Sequence, residues 1–496
     1  MPKRISLLIL LLLFTNICSV PPLNGEGKRL TMILDNYPLN LDPRVGTDQA
    51  SQRIQQILFN GLFKKTKNFG VEKDLLKEYK IISLLKINFF LKRGIYFHNG
   101  KELTSRDIIW TFNSMLSKSF KSIRKSAFKS IKKIYHRGRY GFTIELKYPD
   151  SALFYNLVIG IVPYGSKQNF FRKPIGTGAF IYKKSKKNIL YFKANKKYFK
   201  HPPYIDDLII KVINDPISRI LILKKGKADF MINSVPPEFI ESLKRTKNHI
   251  IDNYPGNTMY YLGFNLRDKL LKNRNFREAL SYAINYKELM KFVMKGFARR
   301  AYTLLSPEHW AYSDKIKKYH YSLKLAKQKL KQSQIKHPEI EIKCANKEVS
   351  RKIAIALKYY WGLIGVKVKI KTLEFSSFYK DIITGNFQVY PLAWVGILSP
   401  DIYKYTLHSK FIPPNGANRA HYVNKSIDTL LDDAEKTYDL KIQKTIYEKA
   451  EKIISEDIPF IPLWYSDNII IYKRGIANID KYPSGEYYFL ENIRKR

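Results

Sequence analysis

Residues 89–115 read FFLKRGIYFHNGKELTSRDIIWTFNSM. Phe89, Leu91 and the run 95–97 form an apolar, strand-like stretch, and Asn99-Gly100 is a turn dipeptide that ends it. Thr104 stands where a helix N-cap belongs, with Asp107 at the capping-box position three residues on. Ile108, Ile109, Trp110 and Phe112 then supply the apolar side of that helix. The succession of strand, tight turn and capped helix predicts an α/β arrangement.

The same alternation continues outward. Phe276, Ala279, Leu280, Ala283 and Ile284 follow helical spacing, as do Ile353, Ala356, Leu357, Tyr360 and Ile364. Gly365 reads as a helix stop, and Val366, Val368 and Ile370 alternate with Lys367, Lys369 and Lys371 as a half-buried strand. At 496 residues the chain exceeds one ordinary domain, so two or three packed units are expected. Hydrophobic residues at 45%, with 14% aromatic, exclude a disordered chain.

Residues 1–19 place Lys3 and Arg4 before an apolar run from Ile5 to Phe14, the pattern of a secretory signal too short to anchor a mature protein in a bilayer. Cys18 is a candidate lipid-anchor site. Asn16-Ile17 fit the small-residue processing pattern poorly, so cleavage without lipid is expected. Cys344 then stands alone, and no internal disulfide is expected. Lys and Arg number 88 against 42 acids, a formal net charge of +46, and the region 108–205 contains only Glu145 and Asp150 as acids. Solvated lysine-rich faces account for this more simply than a polyanion-binding surface. No zinc-finger or RNP-type motif accompanies the charge, so nucleic acid is not an expected partner.

A search for chemistry returns little. Residues 94–101 miss the phosphate-loop spacing, no G-x-S-x-G elbow or H-E-x-x-H pair occurs, and the nine histidines are scattered. No catalytic residue, metal or cofactor is expected.

The wording of the opening block, however, resembles the "LR.GVKFHDGKPLTAEDVVFSL" block of the family 5 extracellular solute-binding proteins. Those are the oligopeptide, dipeptide and nickel receptors of ABC importers. Residues 40–43 (NLDP) and 49–63 resemble the family's opening, 176–180 (GTGAF) its GTGPF segment, and 195–229, 261–265 (YLGFN) and 275–285 (NFREALSYAIN) its later blocks in order. Residues 351–370 and 450–464 complete the series. The resemblance implies a type II periplasmic binding-protein fold: lobe I from 28–70, 172–254 and 466–496, an extra domain inserted at 71–171, and lobe II at 256–462. Hinge crossings would lie near 255–262 and 460–465.

It also implies an exported, periplasmic, monomeric receptor that is not an enzyme. Such a receptor captures a peptide-like solute and delivers it to ABC permease subunits in the inner membrane. A nickel, haem or chelate receptor on the same fold is the alternative, as is a basic surface protein binding polyanions. By the resemblance, the ligand's two edges match Asn36, Tyr37 and Pro38 on one side and Ala393, Trp394 and Val395 on the other, with Tyr260, Tyr261 and Asn265 near the hinge. Peptide receptors of the family commonly carry an aspartate three residues after the tryptophan, paired with the ligand's ammonium group. Here Gly396 is followed by Ile397 at that position. Either Asp401 reaches in instead, or the ligand has no free N-terminus.

Overall fold

Thr104 caps the helix Ser105–Leu116 in the expected way: its backbone N–H donates to Asp107 Oδ2 at 2.8 Å and its hydroxyl to the same oxygen at 3.1 Å. Ile108, Phe112 and Met115, one helical turn apart, are fully buried, whereas Ile109 and Trp110 are only partly covered. Trp110 turns its edge to Tyr164, with 5.1 Å between ring centroids. The computed structural model describes residues 28–496 except 168, 246 and 247, so the leader and Cys18 lie outside the described residues.

An 11-stranded mixed sheet runs through the described chain. From one edge its strands are Lys367–Leu373, Glu339–Ala345, Val389–Trp394, His249–Phe264, Phe460–Lys473, Phe230–Ile232, Arg29–Leu34, Asp207–Val212, Ile189–Ala194 and Phe180–Lys186, with Ala298–Arg300 branching from Phe460–Lys473. The edge strand Lys367–Leu373 buries Val368 and exposes Lys367 and Lys369, as period-two alternation requires. Its lysines also protect an open sheet edge from pairing with another chain. A second sheet of four antiparallel strands, Leu76–Ser83, Lys86–Leu91, Gly141–Leu146 and Ile131–His136, packs on the helix Ser105–Leu116.

Buried side chains gather into separate cores. One draws on residues between 30 and 59, 162 and 254, and 470 and 493; another lies wholly between 62 and 161. Two more lie between 259 and 465. The strands His249–Phe264 and Phe460–Lys473 pass from the first of these to the last two. Between the pairs Tyr254↔Asn468 and Thr258↔Ser466 the register slips, so Pro255-Gly256-Asn257 bulges opposite Asp467 alone. At Gly256 a side chain would overlap the Ser466 carbonyl, so glycine permits the close crossing.

The GTGAF segment gains a physical reason in the fold. A Cβ on Gly176 would overlap the Leu58 carbonyl oxygen, because the segment runs directly over the end of the helix Gln49–Leu58. Gly178 N donates to that same carbonyl at 2.9 Å. Gly176→Ala is therefore expected to cost about 2 kcal/mol by overpacking against backbone that cannot move aside. A urea midpoint equal to that of the parent would refute this.

Candidate functional site

Trp394 closes the strand Val389–Trp394, opposite Met259 on His249–Phe264. Its ring lies nearly parallel to Tyr261, 6.2 Å away at 8°, and meets Tyr405 edge-on at 6.4 Å. The guanidinium of Arg419 sits 4.9 Å from its centroid. Tyr261, Trp394 and Arg419, with Gly263 and Tyr390, wall a small recess that opens partly to solvent. Gly263 makes the recess geometrically possible, since a side chain there would collide with the Tyr390 ring.

The other expected residues separate into distinct surroundings. Ala393 is partly covered and Val395 is 64% exposed beside the tryptophan, while Gly396 turns the chain with φ of +70°. Ile397 is buried in the apolar core, and its carbonyl accepts from Asn257 Nδ2 at 2.8 Å. Asp401 is not among the residues lining the recess. Asp401 instead accepts from Ser399 Oγ at 2.5 Å and Tyr447 Oη at 3.1 Å. Burial, reinforced by the charge of Asp150, pushes its carboxyl above the usual range. Asn36 and Tyr37 are exposed and Pro38 is buried, just after the strand Arg29–Leu34. Among the described residues no hydrogen bond or ring contact joins 36–38 to 393–397.

Asn265 is tied into the fold by its own side chain. Its Nδ2 donates to the carbonyls of Phe387 at 2.9 Å and Gly385 at 3.2 Å, while its Oδ1 accepts from Arg267 N and Nε. The side chain is consumed in tying the end of a strand to a neighbouring loop. It has no donor or acceptor to spare for a ligand. Tyr260 likewise packs inward, stacked on buried Trp464 at 5.1 Å.

A contact unforeseen from sequence brings residues 68–155 against residues 309–438. Trp310 Nε1 donates to Tyr155 Oη at 2.8 Å, and Trp310 N to Asn68 O at 3.3 Å. Phe69 stacks on His309 at 5.4 Å and 14°, and Tyr438 Oη donates to Leu84 O at 3.1 Å. His309 Nδ1 accepts from Ala311 N, so its Nε2–H donates to Leu398 O, in the loop that follows Trp394. Burial lowers its imidazole to about 4. No local sequence pattern marks these residues, because the partners that join the two stretches lie at least 155 positions apart.

Residues 71–411 match the family model described as bacterial extracellular solute-binding proteins, family 5 Middle. The chain is 28% identical over 500 residues to the oligopeptide-binding protein AppA of Bacillus subtilis, covering 94% of this chain and 91% of the relative. The solved structure of that protein in complex with a nonapeptide matches with a TM-score of 0.76 at 27% identity, covering 95% of this chain and 99% of the other. NikZ of Campylobacter jejuni in complex with Ni(L-His) matches with a TM-score of 0.78 at 25% identity, covering 94% and 99%. With its mixed sheet and the crossing strands His249–Phe264 and Phe460–Lys473, this chain belongs to the family 5 bacterial extracellular solute-binding proteins.

Proposed function

We propose that this protein captures a peptide-like solute between two lobes and delivers it to the permease of an ABC importer. The observation that carries the reading is the Trp394 wall at the end of a strand beside the crossing pair, in a chain similar along 94% of its length to an oligopeptide-binding protein. An extended ligand would lie between residues 36–38 and 393–395 and pair through its backbone, which ignores side-chain identity. Lobe I comprises 28–70, 172–254 and 466–496, the inserted domain 71–171 and lobe II 256–462. Bending at the bulge near Gly256 opens and closes them. The protein acts as a monomer outside the inner membrane, exported by the leader at 1–19, and catalyses no reaction.

Native mass spectrometry of the protein purified from its own host tests this. Bound masses that fragment as peptides support it, and a metal chelate or haem as the sole bound species overturns it. Trp394→Ala is expected to weaken binding of those peptides roughly tenfold or more, as loss of a large aromatic anchor does. Unchanged affinity by titration calorimetry would remove Trp394 from the site.

A further inference from the structure

Three buried arginines are satisfied by the chain itself, whereas a fourth, Arg53, keeps a buried Nη2 without a hydrogen-bond partner. Arg277 donates to the carbonyls of Ile458, Leu271, Lys272 and Asp457, and Arg219 to those of Ser234, Ile213 and Asn214. Arg44 is paired with Asp42. Arg419 has fewer protein bonds than those three and, unlike them, lines the recess. It is 6% exposed, yet its protein hydrogen bonds are two, from Nη1 to Tyr261 Oη and from Nη2 to Tyr379 Oη, each at 3.1 Å. Among the described residues no carboxylate lies within 4.0 Å of it.

A guanidinium carries five N–H donors and stays charged, so three are without a protein acceptor. The phenols are not counter-anions, since a tyrosine side chain is neutral near pH 7. A cation drawn out of water against neutral groups alone is undercompensated. This one lines the recess beneath Trp394, where an aromatic wall limits water and strengthens any ion pair formed there.

We infer that Arg419, roofed by Trp394 and flanked by Tyr261 and Tyr379, is the receptor site for a carboxylate of the ligand, so that this protein prefers acidic peptides. The inference rests on the peptide-binding reading above. A planar carboxylate matches the free edge of the guanidinium fork and would take up its unused donors. The residues lining the recess include no Asp or Glu, so this wall offers a cation and no anion. The arrangement selects ligand charge, whereas backbone pairing leaves the remaining side chains unread.

The test uses the leaderless protein and two sets of synthetic alanine pentapeptides, one carrying a single Glu at each position in turn and the other Gln. Titration calorimetry is expected to show, for at least one position, Glu favoured over Gln by roughly tenfold or more, the usual margin for a hydrogen-bonded charge over its neutral counterpart. Arg419→Met should abolish that margin, and Arg419→Lys should retain part of it because the charge remains without the fork. Equal affinity across every Glu/Gln pair would overturn the inference while leaving peptide capture intact, and needs no variant to fold. A margin that survives Arg419→Met would overturn it equally. Binding of no pentapeptide would overturn the peptide reading, and the inference with it.

Discussion

Asp42→Ala is expected to destabilise the protein by about 3–5 kcal/mol, because it leaves a fully buried guanidinium without its counter-charge. Asp42 and Arg44 are both 0% exposed. The carboxylate accepts from Arg44 Nε at 3.0 Å and Nη2 at 2.7 Å, a bidentate pair, and from Arg44 N at 2.9 Å. The remaining guanidinium donors reach Ser114 Oγ, Ser166 O and Lys167 O, and Phe120 lies 4.5 Å from the guanidinium carbon. Asp42 of the NLDP segment and Arg44 just after it therefore tie the chain before the helix Gln49–Leu58 to the helix Ser105–Leu116. The double substitution Asp42→Leu with Arg44→Met should cost clearly less than the sum of Asp42→Ala and Arg44→Ala, since it removes both charges together. Urea unfolding of the variants checks this. An Asp42→Ala loss below about 1 kcal/mol would mean that water or another anion reaches Arg44.

Acidification is expected to remove about 3 kcal/mol of stability for each of two histidines, His98 and His309. His98 Nδ1 accepts from Gly176 N at 3.3 Å, so Nε2–H is the donor to Gly178 O at 3.0 Å. Burial lowers both rings from 6.5 to about 4. Between those values the unfolded chain binds more protons than the native one, so stability rises with pH. It is fully present above about 6.5 and is lost as pH falls toward 4. Glu451 works in the opposite sense. It is buried with Tyr403 and pushed up to about 8, so its contribution falls as pH rises from 4.5 to 8. A variant comparison isolates His98: the stability lead of the parent over His98→Gln at pH 7.5 should shrink markedly by pH 4.5. An undiminished lead at the lower pH would show that the ring is protonated without penalty in the folded state.

His98 also shows what could be read in advance and what could not. The FHNG turn and the GTGAF segment are each legible alone, yet the bond between them joins residues 80 apart. The NLDP and GTGAF segments drew notice as family wording. Their physical content, a buried ion pair and a glycine pressed against a carbonyl, emerged only with the fold. Asn265 shows the same limit. An asparagine after a strand is equally suited to a ligand or to a loop, and its bonds to the carbonyls of Phe387 and Gly385 exist only in the fold.

The sequence by itself determined the elements whose bonds span a few residues: the capped helix after Thr104, the stop at Gly365, the lysine-faced edge strand and the absence of a carboxylate at 397. The helix cap, the helix stop and the strand alternation each follow from residues acting on backbone within a turn or two of themselves. The tertiary structure alone decided the recess, because Tyr261, Trp394 and Arg419 meet from strands and loops up to 158 positions apart. Nothing local distinguishes Arg419 from the other 87 basic residues. Its burial without a carboxylate is a property of what the fold places around it, and that absence of a partner exists only once the chain has closed.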